Sequence, residues 1–570
     1  MKKFTSILLI LGLVFCLFSA CSSTTEQEST TSAAVASESA EAPSATPVPE
    51  DTRQSASETA SSASEDSVAE SVSTSDSKPP KYDLPLTTGG ESLTMFAISN
   101  SNVTDYIGDL NNHQIYMAAE EITGVTVDIQ TYQQETSTEQ FSLVLASGDY
   151  PDMVRSGVYP SGISAAFEED IIIDFADYLE FAPNYADILD NNPGVAQDAK
   201  TDDGNILSLY YLNAYLGKFE VPITEGPVIR KDLLEDAGLD SPTSVEELHD
   251  VLTALKSAYD LDDPLYLGNT VFAASGFLMG AYDVSAELYQ VDGVVKYGPL
   301  EEGFRSYLET MIAWYQEGLL NADFYSYDDN PMSTVTEGKK VNGDIGVFAA
   351  PAANLSAYCS DAAYYTGMQI LPNADGENHL TSTTKVVDTS KGMTIATGCE
   401  NVELAVQWCD FWYSEEGQLL SNYGLEGVTF TYDAEGNPHW TELLTANADG
   451  MSLGIARQVY TTLTQQPGVC PKEIEMDLLD ENALASVEIW GSSGDGDYTM
   501  PNVSLTSEES ARAAQIFSDI DTLNNETWFK ILLGQQSIDT WGDYLASIRE
   551  MGIDEYIAIY QTALDRYNQR

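Results

Sequence analysis

The stretch from Glu91 to Val154 constrains the fold more than any other part of this 570-residue chain. Glu91-Ser92-Leu93-Thr94-Met95-Phe96-Ala97-Ile98 reads as a strand. A helix follows near Gln114 to Glu121 and stops at Gly124. Val125-Thr126-Val127-Asp128-Ile129 then alternates like a strand, a second helix covers Glu139 to Ala146, and Asp152-Met153-Val154 opens a third strand. Strands separated by helices pair in parallel, because the helix carries the chain back across the sheet. The pattern predicts an open α/β sheet. In such sheets ligands bind beyond the carboxyl ends of the strands.

The middle of the chain is helix-rich. Thr243-Ser244-Val245-Glu246 reads as a capping box with Thr243 as the cap, and Val245, Leu248, Leu252 and Leu255 follow at helical spacing. Another helix is expected from about Glu302 to Glu317, ending at Gly318. Ala405, Trp408, Cys409 and Trp412 fall on one helical stripe, which reads as core, as does Trp314. Asp203-Gly204, Asp292-Gly293 and Asp375-Gly376 are turn signals. The carboxyl end, Trp528 to Tyr567, reads as mostly helical, with Gly552 interrupting.

The amino end carries Lys2 and Lys3, then a short apolar run, Ile7 to Phe15. This is the layout of a secretory signal peptide, and it is shorter than the roughly 20 apolar residues of a spanning helix. Leu17-Phe18-Ser19-Ala20-Cys21 resembles a bacterial lipobox, with Phe18 departing from the usual aliphatic residue. Residues 1–20 are therefore read as a signal peptide and Cys21 as a lipidation site, the alternative being an ordinary cleaved signal with a coincidental cysteine. Residues 21–85 are rich in Ser, Thr, Ala, Glu and Pro. Such a segment buries too little apolar surface to offset its ordering entropy and is expected to form a disordered tether. Residues 86–570 are expected to form the folded part, which is long enough for two large lobes or more.

Ninety acidic side chains against 24 basic ones give a formal net charge of -66. Nucleic acid is excluded as a partner, since binding needs cations to neutralise phosphates. Cys359, Cys399, Cys409 and Cys470 remain after the signal and lipid cysteines. No Cys-x-x-Cys pair suggests a zinc site, a disulfide pairing stays open, and Cys409 reads as a buried thiol. There is no Gly-x-Ser-x-Gly, no His-Glu-x-x-His, no Walker-type loop and no Gly-x-Gly-x-x-Gly. Neither catalysis nor a cofactor is expected.

Four stretches together resemble the lipid-anchored extracellular solute-binding proteins of Gram-positive ABC importers, of the large sugar-binding kind. They are Val228 to Leu239 followed by Pro242 to Leu248; Ala313-Trp314-Tyr315-Gln316-Glu317-Gly318-Leu319-Leu320; Asn422 to Phe430 running into Tyr432 to Pro438; and Trp541-Gly542-Asp543-Tyr544 with Gly552. The resemblance implies two α/β lobes, a chain crossing between them more than once, and a hinge that closes on ligand held in the cleft. It implies a monomer at the outer face of the cytoplasmic membrane, delivering an oligosaccharide to a permease. A peptide or other small polar solute, or a surface glycan-degrading enzyme, are the alternatives. Some large relatives carry a calcium loop; the matching Tyr259-Asp260-Leu261-Asp262-Asp263-Pro264-Leu265 lacks its Asn-Gly pattern, and no metal is expected there.

Sugars need aromatic platforms and hydrogen-bonding rims. The candidates for ligand contact lie in loops after expected strands, just ahead of the glycine-rich loop Gly491 to Gly496, or in the resembling motifs: Asn100, Tyr210, Tyr211, Tyr358, Tyr423, Glu426 and Trp490. Gly424 and Gly427 tilt Tyr423 and Glu426 toward a structural turn. Arg230 is read as a buried partner of acidic groups.

Overall fold

A computed structural model of the chain describes residues 81–261, 263–267, 277–322, 334–360, 363–380, 385–448, 451, 453–461 and 466–570. The signal segment, Cys21 and the tether up to residue 80 lie outside the described residues. In chain order the strands are β1 (Ser92–Ser99), β2 (Thr126–Gln133), β3 (Met153–Arg155), β4 (Leu209–Ala214), β5 (Glu225–Arg230), β6 (Asp263–Leu265) and β7 (Leu288–Val291). They continue with β8 (Val294–Tyr297), β9 (Ile345–Pro351), β10 (Tyr365–Gly367), β11 (Val387–Ile395), β12 (Phe430–Tyr432), β13 (Pro438–Trp440) and β14 (Gly468–Pro471).

The opening pattern folds as expected. β1 runs parallel to β2, from Ser92 against Thr126 to Ser99 against Gln133, and parallel to β3 through Met95 and Met153. The crossover helices are Gln114–Thr123 and Ser137–Ser147. They belong to a six-stranded sheet of order β14-β4-β11-β3-β1-β2, in which β11 alone runs against its neighbours. A four-stranded sheet, β10-β5-β9-β6, forms the second lobe. Each sheet has its own core: Met95, Trp408, Cys409 and Trp412 in the first lobe, Leu252, Phe304, Trp314 and Ile345 in the second. The chain passes between the sheets after β4, after β10 and after β14, and its final helices, Ser507–Leu532, Trp541–Met551 and Ile553–Tyr567, pack on the second lobe. The fold is two-lobed α/β.

Details differ from expectation in instructive ways. The cap of the helix Val245–Tyr259 is Ser244, whose side chain accepts from the Glu247 amide, not Thr243. Thr243 instead donates its amide and hydroxyl to the Glu247 carboxylate at 2.8 and 2.7 Å. Both residues can cap, and the extended backbone of Ser244 decides between them. Asp292-Gly293 makes the two-residue hairpin between β7 and β8, with φ of 52° and 80° as that turn requires. Cys359, Cys399, Cys409 and Cys470 are all free thiols. Ordered chain begins before residue 86: Lys81 pairs with Asp187 at 3.1 Å, and Leu84 and Leu86 lie against the first core.

Candidate functional site

The carboxyl ends of β1, β3, β4 and β14 share one edge of the larger sheet. A cavity of about 910 Å³ opens against that edge, between the lobes. On the first lobe it is lined by Ser156 and Gly157 after β3, Tyr210 in β4 and Thr389 in β11. The opposite wall is the long helix Ser507–Leu532 with the last helix, which present Phe517, Asn524, Trp528, Tyr556 and Tyr560. Phe517 and Tyr556 stack at 4.9 Å, and Tyr560 lies 4.9 Å from Tyr556. Asn524 is held rigid, donating to the Tyr297 hydroxyl and accepting from the Tyr544 hydroxyl, both at 2.7 Å.

The edge is shaped by a bulge. Asp388 pairs with Tyr211 and Gly392 with Tyr210, so Thr389, Ser390 and Lys391 loop out of the sheet. The Ser156 hydroxyl donates to the Thr389 carbonyl at 3.2 Å. Gly157 lies so close that a Cβ there would be 2.5 Å from the Ser390 carbonyl oxygen. Lys391 reaches Asp388 at 2.9 Å and stands 5.6 Å over the Tyr211 ring. Burial acts to raise the Asp388 pKa, but hydrogen bonds from Ser390 and Lys391 outweigh it and hold the carboxyl below its ordinary value.

Ion pairs tie the lobes together beside the cavity. From the last helix, Arg566 donates to Asp202 at 2.5 Å and to Glu509 at 2.8 and 2.7 Å. Arg570 donates to Asp202 at 2.7 and 2.9 Å, and the Tyr567 hydroxyl donates to Asp198 at 2.6 Å. Burial raises the Asp198 pKa against these partners. Lys385, which burial pushes down and Asp198 pulls back up, donates to Asn502 at 2.9 Å, and Asn502 donates to the Val387 carbonyl at 2.9 Å. Among the described residues, no group of three or more His, Cys, Asp and Glu is placed to hold a metal ion.

Of the sequence candidates, Tyr210 lines the cavity, and its carbonyl accepts from the Tyr413 hydroxyl. Tyr211 follows it in β4 and packs beneath Lys391 at the same edge. Asn100 caps the helix Ser101–Ile107 and donates to Gln458 at 2.8 Å. Tyr358 is 1% exposed in the second core, against Phe348 and Lys340. Trp490 is 0% exposed and donates to the Pro227 carbonyl at 3.0 Å. It sits inside the helix Glu481–Gly491, which turns it onto β5 rather than into a loop. Tyr423 ends the helix Glu415–Tyr423 between Phe430 and Trp440, and Glu426 is an exposed turn residue. Arg230 ends β5 and pairs with Asp232 through two hydrogen bonds, 2.8 and 2.6 Å. Asp198, Asp202, Asn502, Arg566 and Arg570 were not signalled by aromatic patterning. The i,i+4 arginines at the carboxyl end of a chain so poor in cations were the available clue.

Residues 112–419 match the model of the bacterial extracellular solute-binding protein family. The fructooligosaccharide ABC transporter substrate-binding protein FusA of Streptococcus pneumoniae is 24% identical over 494 residues, 80% of this chain and 88% of that protein. Among solved structures, the alginate-binding protein AlgQ2 superposes with a TM-score of 0.68 at 21% identity, covering 84% of this chain and 99% of that one. FusA in complex with kestose gives 0.68 at 20% identity, covering 84% and 100%.

Proposed function

The chain belongs to the bacterial extracellular solute-binding proteins, and we propose that it captures an oligosaccharide between its lobes and hands it to an ABC permease. It is a binding protein, not an enzyme. The observation that carries the saccharide reading is the interlobe cavity: 910 Å³, near the top of the roughly 300–1,000 Å³ range of small-ligand sites, with rings on one wall and amides and hydroxyls around it. Apolar sugar faces fit Phe517, Trp528 and Tyr556, and sugar hydroxyls fit Asn525, Ser156 and Thr389. The first relative's fructooligosaccharide role agrees with this reading.

Tyr210 is the sequence candidate we place in direct contact with ligand, with Tyr211 supporting the edge. Tyr358 and Trp490 are packing residues of the second lobe. Cys21 carries a lipid that holds the monomer at the outer face of the membrane, and the Ser/Thr/Glu-rich tether gives the lobes reach to the permease. The test is fractionation of cells making the Cys21→Ser variant. The protein should move from the membrane fraction to the medium with its saccharide binding intact. Retention in the membrane fraction would overturn the lipid anchor.

A further inference from the structure

We propose that a second cavity, on the opposite face of β7 from the interlobe one, binds a small organic ammonium ion, with the Tyr289 hydroxyl accepting its hydrogen bond and Asp283, Glu302 and Asp375 balancing its charge. This site goes beyond saccharide capture and shares no lining residue with the interlobe cavity.

Side chains alternate between the two faces of a strand. Leu288 of β7 lines the interlobe cavity, whereas Tyr289 and Val291 line a second cavity of about 390 Å³. The hairpin partner of Tyr289 is Lys296, on the same face, which pairs with Glu301 at 3.0 Å. Asp283, Tyr498, the start of the helix Glu302–Gln316 and the loop from Asn373 to His379 form the walls. Asn373 fixes that loop. Its side-chain oxygen accepts from the Asp375 and Glu377 amides at 2.9 and 3.0 Å, and its side-chain nitrogen donates to Asp283 at 2.9 Å.

Tyr289 is 2% exposed, yet its hydroxyl makes no hydrogen bond with any described residue. Burial raises its pKa, and the charges of Glu301 and Asp283 raise it further, so it stays a neutral phenol. Both carboxylates line the same cavity, which places the hydroxyl on the cavity side of the ring. A buried hydroxyl left without a partner is unfavourable for folding alone. The charges around it are unbalanced. Lys296 is taken by Glu301, and His379 sits between Asp495 at 3.0 Å and Glu377 at 3.3 Å. Asp283, Glu302 and Asp375 make no ion pair with any described residue. Among the described residues no three such groups converge closely enough for a metal ion. The cation that fits is therefore a larger one. An ammonium on a short carbon chain fits 390 Å³, donates an N–H to the phenol oxygen and lies against the Tyr498 ring, which His379 braces at 4.5 Å. A neutral sugar would use the rings but leave the carboxylate excess unanswered.

The test is calorimetric titration of the purified protein with propylamine and 1,4-diaminobutane, with 1,4-butanediol and glucose as neutral counterparts and calcium chloride as the metal counterpart. At least one amine should bind and weaken with added salt, and neither neutral compound should bind. Tyr289→Phe should weaken amine binding about 10-fold, through the lost charge-assisted hydrogen bond. Ligand-free, it should melt no lower than the wild type, because the hydroxyl it removes has no partner. Glu302→Gln, at the exposed rim, should weaken amine binding at low salt and less at high salt. Failure of both amines to bind, equal binding of butanediol or glucose, or amine binding undiminished in Tyr289→Phe would overturn the site. Binding of calcium alone would overturn it in favour of a metal. A lower ligand-free melting point for Tyr289→Phe would mark the hydroxyl as structural and overturn the site as well. Stabilisation by saccharide, read on the same samples, should persist in Tyr289→Phe, so failure of the ammonium site leaves the importer reading standing.

Discussion

At the scale of single residues, the fold relies on polar groups placed deep in apolar surroundings. Asp410, fully buried in the helix Val402–Phe411, accepts from the backbone amides of Asn184 and Tyr185 at 3.2 and 2.8 Å and from the Asn184 side chain at 2.7 Å. It thereby satisfies donors at the start of the helix Pro183–Asn191, which no residue of that helix's own approach caps. Burial, only partly offset by these hydrogen bonds, pushes its pKa up to about 6 from an ordinary 3.8. A carboxyl with a raised folded-state pKa binds its proton more tightly folded than unfolded. Its contribution to stability is therefore largest below about pH 4 and falls as pH rises to 6, by about 3 kcal/mol in all. Asp410→Asn is neutral throughout. Its melting temperature relative to the wild type should rise between pH 4 and pH 7.5, and a difference that stays flat with pH would refute the buried-charge account of Asp410.

At the scale of elements, the decisive feature is the β11 bulge and the loop after β3 that fits against it. Gly157→Ala would drive a methyl group into the Ser390 carbonyl. Neither partner is a flexible side-chain end, so the variant should lose about 1–3 kcal/mol in urea unfolding. Unchanged stability would mean that the bulge yields freely and does not shape the cavity. The elements also show where sequence reading succeeds. β1, β2, β3 and their helices were legible because β1 pairs with the two strands that follow it in the chain and each helix carries its own periodicity. β4, β11 and β14 were not placed, because their neighbours come from distant parts of the chain. Tyr210 and Trp490 carried the same aromatic signal, yet one lines the cavity and the other fills the second core. The difference lies in the strand or helix around each: a helix spanning Glu481–Gly491 was read as the approach to a loop. The one-residue slip at the Ser244 cap has the same origin, two adjacent residues of equal capping chemistry.

At the scale of the whole molecule, two lobes with separate cores are joined by three chain crossings and by the Arg566, Tyr567 and Arg570 contacts to Asp198 and Asp202. In the cavity between them, both lobes offer side chains to the same small molecule. The most direct measurement is thermal unfolding of the purified protein, wild type and Thr389→Trp, with and without oligosaccharides. Thr389 is exposed on the cavity wall, so an indole there occupies the space without entering either core. The wild type should be stabilised by about 2.7 kcal/mol when the bound saccharide is present at about 100 times its dissociation constant. Thr389→Trp should melt like the wild type without ligand and show no shift with it. A ligand shift that survives in Thr389→Trp, or a wild type that responds to no saccharide, would contradict interlobe capture.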